Sequence, residues 1–172
     1  MPRLLVSPLS NLAEALRVHS PSRLITLLSP DYMIETPAGF PAAMHLRLGV
    51  NDIVDPTAGT APPARQHVDE LLAFSRGWDA EQPLLIHCWA GISRSMASAF
   101  TILCDRLGPG REIEIARAIR QRAPHAQPNR LLVRHADEAL GRDGKMIAAL
   151  NSMGPPLLVE EGVTTAFPLE GL

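Results

Sequence analysis

Lysine is all but missing from this chain: of its 16 lysines and arginines, only Lys145 is lysine. Those 16 cations face 18 acidic residues, for a formal net charge of −2, so charge supplies no reason to expect a nucleic acid or an anionic membrane as partner. Cysteine is equally scarce. Cys88 and Cys104 are the only two, which argues against a disulfide framework and fits a reducing, cytoplasmic setting. They sit about three helical turns apart if the intervening segment is a regular helix, too far to bridge. No run approaches the roughly 18 continuous apolar residues of a membrane span. The opening stretch Met1–Pro8 is too short and too broken by proline for a signal peptide. No internal repeat is present. The six histidines show no paired helical spacing, so no metal site is expected.

What the chain does contain is organised around Leu84–Ser95. Leu84 to Ile86 is a short apolar run after Pro83, which suits a strand buried on both faces of a parallel sheet. From Arg94 to Leu107 the apolar residues Met96, Ala97, Ala99, Phe100, Ile102, Leu103, Cys104 and Leu107 make a helix that is apolar almost all round, stopped by Gly108-Pro109-Gly110. The loop between them lies at a strand's carboxyl end and a helix's amino end. Unpaired N–H groups and the positive end of the helix dipole converge there and suit an anion. Such a site also favours the thiolate of Cys88, the nucleophilic form. Arg94 offers a planar fork for two phosphate oxygens, and its hold tightens as charge builds in phosphoryl transfer. Gly91 permits positive φ or close backbone approach. Ser95 can donate to the sulfur and ease its departure as a leaving group.

His87-Cys88-x-x-Gly91-x-x-Arg94-Ser95 resembles the signature loop of the cysteine-dependent protein tyrosine phosphatases, and Ala90-Gly91-x-Ser93-Arg94-Ser95 resembles the compact dual-specificity branch most. The resemblance implies an α/β domain with a mostly parallel sheet and helices on both faces. It implies that Cys88 attacks phosphorus, that a cysteinyl-phosphate forms, and that Trp89, Ala90, Gly91, Ile92, Ser93 and Arg94 bind the phosphate. It also calls for an aspartic acid on a separate loop to protonate the leaving oxygen. Asp52 directly follows the predicted strand Ala43–Val50 and is preferred; Asp55, which precedes Pro56 and suits a turn, is the competitor. Charged phosphate and thiolate nearby favour the protonated acid. No metal or organic cofactor is implied. The implied substrate is a phosphorylated protein, above all phosphotyrosine with phosphoserine and phosphothreonine open, or another monophosphate ester. The uncharged Trp89, Ala90 and Ile92 argue against phosphoinositides, whose phosphatases in this family tend to carry loop lysines.

Elsewhere the pattern predicts a strand at Arg3–Val6 and a helix over Leu12–His19 with Leu9 as staple and Ser10 as N-cap. A strand follows at Arg23–Leu28, then an irregular loop over Tyr32–Pro41. In the strand Ala43–Val50, Met44, Leu46, Leu48 and Val50 alternate onto one face. Pro62-Pro63 opens a helix whose core stripe is Val68, Leu71, Leu72 and Ser75, ended by Gly77. Trp78 and Trp89 are read as packing residues. Two further helices follow the catalytic one: the first carries Ile115, Ala116 and Ile119 with its arginines solvated, and the second is capped by Asn129. The domain organisation expected is a phosphatase domain over 1–150 and an extension over 151–172 that packs on it, because Leu157, Leu158, Val159, Val163 and Phe167 are unfavourable in water. Two other readings stay open: rhodanese- or arsenate-reductase-like anion chemistry, and a phosphate-recognising module without turnover.

Overall fold

The computed structural model describes residues 3–172; Met1 and Pro2, the start of the stretch weighed above as a leader, lie outside the described residues. Strands β1 (Arg3–Pro8), β2 (Arg23–Leu28), β3 (His45–Gly49), β4 (Leu84–Cys88) and β5 (Thr165–Pro168) form one sheet in the order β3-β2-β4-β1-β5. The first four are parallel, and β5 runs antiparallel along β1. Helices α1 (Leu12–His19), α2 (Arg65–Arg76), α3 (Arg94–Leu107), α4 (Glu112–Arg122), α5 (Arg130–Leu140) and α6 (Lys145–Ser152) cover its two faces. This is the mostly parallel, doubly covered sheet expected from the sequence.

Alternation along the strands assigns the faces. Leu4, Val6, Ile25, Leu27, Leu84 and Ile86 join the large core under α2 to α6, while Leu5, Leu24 and Leu85 join a smaller core with Leu12 and Ala15 of α1. Every residue of β4 is buried, as a central parallel strand requires. Each fully buried Leu or Ile contributes about 1.5–3 kcal/mol, so β4 is firmly seated. The loop it feeds starts from a rigid base.

Local departures from expectation have local causes. Residues Leu9–Asn11 form a single 3-10 turn because Leu9 N–H is held by Trp89 O (3.0 Å); Asn11 takes the N-cap position and Ser10 Oγ donates to Glu161 Oε1 (2.7 Å) instead. Met44 ends another 3-10 turn before β3 begins and stays exposed, so only Leu48 and Val50 of the alternating set are fully buried. Pro62 and Pro63 precede α2, whose N-cap is Ala64. Three helices, not two, follow α3, and α6 spans residue 150.

The last twenty residues divide into two parts. Phe167 of β5 is fully buried in the large core, whereas Leu157, Leu158, Val159 and Val163 are exposed, against expectation. The segment they occupy is held instead by hydrogen bonds: Leu157 N–H to Pro124 O (2.9 Å), Gly162 N–H to Ala90 O (2.8 Å) and Asn11 Nδ2 to Thr164 Oγ1 (2.6 Å). Backbone and polar side chains determine its path, and its apolar side chains are left outside.

Candidate active site

The carboxyl ends of β3 and β4 bring together the residues singled out from the sequence. Between Cys88 at the end of β4 and Arg94 at the start of α3, the chain turns sharply at Gly91 (φ +69°). A Cβ on Gly91 would stand 2.8 Å from Pro8 N and 2.9 Å from Ser7 C, both backbone atoms, so no other residue fits there without moving β1. Around the turn the loop's carbonyls radiate outward. Trp89 O accepts from Leu9 N–H (3.0 Å), Ala90 O from Gly162 N–H (2.8 Å), Ile92 O from Gln127 N–H (2.9 Å), and Ser93 O from Ala97 N–H (2.9 Å) and Asn129 N–H (3.2 Å).

In a trans peptide the N–H points opposite to the C=O. Carbonyls tied outward to surrounding segments therefore turn the N–H groups of Ala90, Gly91, Ser93 and Arg94 toward the inside of the loop. Inward N–H groups at a helix amino terminus suit an anion.

Cys88 is buried, with its Sγ 3.1 Å from Ser95 Oγ. Cys104, further along α3, has its thiol pushed up by burial and then by Glu112, which keeps it protonated and inert. Arg94 is also buried. Its Nη1 donates to Val50 O (2.9 Å), while its Nε is enclosed without a partner among the described residues. A guanidinium in this cleft with a spare donor suits an oxyanion.

Asp52 lies beyond β3 and lines the same cleft of about 730 Å³ as Cys88 and Arg94. Ser93 Oγ (2.7 Å) and Asn129 Nδ2 (3.0 Å) both donate to its Oδ1. Asp55 is placed differently. Its Oδ1 accepts from Thr57 Oγ1 (2.7 Å) and Thr57 N–H (2.8 Å), bonds that hold it below the usual carboxylate range; both aspartates are exposed, and only Asp52 lines the cleft.

Beneath the loop runs a chain of hydrogen bonds, buried from His45 to His87 and part-buried at Thr36. Thr26 Oγ1 lies 2.7 Å from both His87 Nε2 and His45 Nε2, His87 Nδ1 lies 3.3 Å from Cys88 O, and His45 Nδ1 lies 3.0 Å from Thr36 Oγ1. A carbonyl only accepts, so His87 carries its proton on Nδ1 and takes one from the Thr26 hydroxyl at Nε2. That hydroxyl then accepts from His45 Nε2–H, and Thr36 donates to His45 Nδ1. Burial lowers both histidines to about 4, with the positive charge of Arg47 adding to the effect at His45, so both are neutral near pH 7.

Trp89 is only partly a packing residue. The residue is 55% exposed, and its ring meets Tyr32 edge-on at 5.7 Å between centroids, forming a rim beside Arg94. Arg120, expected to be solvated, lines the cleft and donates to the carbonyls of Met153 and Gly154 (3.3 Å each). Four participants were not singled out as site residues from sequence: Val50 through its carbonyl, Asn129 through its grip on Asp52, and Thr26 and His45 through His87. Only Asn129 carried a signal, as a helix cap, and it does cap α5 by accepting from Leu131 and Leu132 N–H.

No family profile and no curated protein sequence matches the chain. Solved structures do. The fold is that of the cysteine-based protein tyrosine phosphatases in their dual-specificity-like form. DUSP15 matches with a TM-score of 0.58 at 20% identity, over 89% of this chain and 91% of that one. The human tyrosine phosphatase-like serine/threonine/tyrosine-interacting protein gives 0.64 at 19% identity, over 81% and 91%. PTPMT1, solved in complex with PI(5)P, gives 0.56 at 23% identity, over 81% and 94%. At identities this low the likeness carries the fold, and the chemistry has to rest on the residues above.

Proposed function

We propose that this protein hydrolyses phosphate monoesters, with phosphotyrosyl protein as the principal substrate, through a cysteinyl-phosphate intermediate. The reading is carried by one cleft that holds the Cys88 thiol backed by Ser95, the Arg94 fork with its Nε unpartnered, and the Asp52 carboxylate. Cys88 attacks phosphorus as thiolate, and the bond to the leaving oxygen breaks while Asp52 delivers a proton to it. The equatorial oxygens are held by Arg94 and the loop N–H groups as their charge develops. Water then attacks phosphorus, Asp52 takes its proton, and the thiolate leaves with a hydrogen bond from Ser95. No step calls for a metal or an organic cofactor.

The Tyr32–Trp89 rim suits an aromatic ester. The fold alone does not carry turnover, since one neighbour is named phosphatase-like and interacting, and another was solved with an inositol phospholipid. The deciding experiment is phosphate release at mildly acidic pH, with chelator, from a phosphotyrosine peptide, a phosphoserine peptide and PI(5)P. The wild type is expected to turn over the tyrosine peptide fastest, Cys88→Ser to lose all turnover, and Asp52→Ala to lose about 10²–10⁴-fold. Binding of the peptide by wild type with no phosphate release would replace the enzyme by a recognition module. Sulfur transfer from thiosulfate would favour rhodanese chemistry.

A further inference from the structure

We infer that the C-terminal segment Leu157–Thr164 is a working part of the phosphate site, acting through Gly162 as a brace on the binding loop. The inference rests on the phosphatase reading and adds a positioning residue to it. Gly162 N–H donates to Ala90 O at 2.8 Å. Because Ala90 O and Gly91 N–H belong to one trans peptide, this bond sets the plane of that peptide and turns Gly91 N–H toward the inside of the loop.

The other outward carbonyls are held by segments next to the site in the fold: the turn after β1 and the turn before α5. The carbonyl of Ala90 alone is held from the end of the chain. The Ala90–Gly91 peptide also needs outside help more than its neighbours do. Gly91 has positive φ and no side chain to restrict its rotation.

Position 162 is fitted to this task. A Cβ there would stand 2.6 Å from His125 Nε2, 2.7 Å from His125 Cδ2 and 3.1 Å from Gly91 O. A side chain at 162 has to displace the His125 ring or lift the strap from the loop, although Gly162's own φ is not positive. On either side, Ser10 Oγ to Glu161 Oε1 (2.7 Å) and Asn11 Nδ2 to Thr164 Oγ1 (2.6 Å) tie the strap to the turn that also holds Trp89 O. Two adjacent loop carbonyls are thus aligned by one polar cluster. The exposed Leu157, Leu158, Val159 and Val163 supply little of this hold, so hydrogen bonds supply most of it. Upstream of the strap, Met153, Gly154 and Pro156 form a wall of the same cleft.

The test removes the single donor. A chain whose Glu161–Gly162 amide is replaced by an ester, made by ligating a synthetic C-terminal peptide, lacks Gly162 N–H and gains no bulk. It is compared with the all-amide ligated chain, and Gly162→Ala serves as a genetic counterpart that pushes the strap off. A freed Gly91 N–H matters more when phosphorus is five-coordinate, so kcat is expected to fall about tenfold with KM changed less than twofold, and orthovanadate affinity to fall more than inorganic phosphate affinity. A merely structural contribution would lower thermal stability and leave that ratio unchanged. Phosphate binding is measured on a Cys88→Ser background, which needs no turnover. If the ester chain keeps kcat and vanadate affinity within twofold of its amide control, the brace is overturned and the phosphatase reading stands. If the all-amide chain binds neither anion, the phosphatase reading falls, and the brace with it.

Discussion

Asp52 is held by one oxygen. Its Oδ1 accepts from both Ser93 and Asn129, which leaves Oδ2 as the oxygen that can carry a proton to the leaving group. A general acid matters in proportion to how poor the leaving group is. Asp52→Asn is therefore expected to slow phenyl phosphate hydrolysis about 10²-fold or more, yet to slow a well-activated fluorinated coumarin ester far less. Asp55 supplies the control, because its exposed carboxylate is occupied by Thr57. Asp55→Asn should leave both rates within about twofold; the reverse pattern would move the acid to Asp55. In the proposed mechanism Ser95 acts at the second step. Through its contact with Cys88 Sγ, Ser95→Ala should slow breakdown of the thiophosphate more than its formation, giving a burst of phenol release in rapid-mixing kinetics. Cys88, Arg94 and Ser95 stand out in the sequence because each residue type answers one chemical need at a fixed spacing within the loop, whereas Asp52 is picked out by its place after a strand, and the fold brings it into the same cleft. The clamp on Asp52 was not legible there, because Asn129 is far along the chain and reaches it only through the fold.

At the scale of elements, β2, β3 and β4 share one hydrogen-bonded polar layer within the sheet, made of Thr26, His45 and His87. Thr26 satisfies both imidazoles at once, so its hydroxyl cannot be deleted without leaving a buried acceptor on His87 and a buried donor on His45. Thr26→Val is expected to lower unfolding free energy by about 2–4 kcal/mol, about 1–3 for each orphaned group, and Thr26→Ser to keep most of it, read by urea denaturation. The same layer makes stability depend on pH. Both histidines have folded values near 4, below their ordinary 6.5, so between those limits the unfolded chain binds more protons. Stability is fully present above about pH 6.5 and is lost as pH falls toward 4, with a limiting slope near 2.7 kcal/mol per pH unit if both titrate together. A flat profile between pH 7 and 4.5 would show that the layer opens or protonates at little cost. The strands themselves were legible from their apolar runs. Their polar layer was not, because it contributes one residue per strand and its partners are set by register.

At the scale of the whole molecule, the chain closes on itself at β1. β4 lies on one side of that strand and β5 on the other, so the first and last described strands are neighbours. The body of the fold was readable up to α5, where helical and strand periodicities are clean and Gly and Pro mark the breaks. Beyond α6 the pattern failed for a physical reason. A segment of prolines, glycines and scattered apolar residues has no period, so composition alone suggested burial of all five large apolar residues, while only Phe167 lies in the core. Phe167 is therefore the one fully buried apolar anchor of the last strand, with Leu169 and Leu172 partly buried beside it. Phe167→Ala is expected to cost about 3–5 kcal/mol, the range for emptying a buried aromatic site, and to lower the urea midpoint accordingly. Val163→Ala, at an exposed position of the same segment, should stay within about 0.5 kcal/mol. Equal effects from the two would mean that the exposed apolar strap is covered in solution and that closure of the chain does not depend on Phe167.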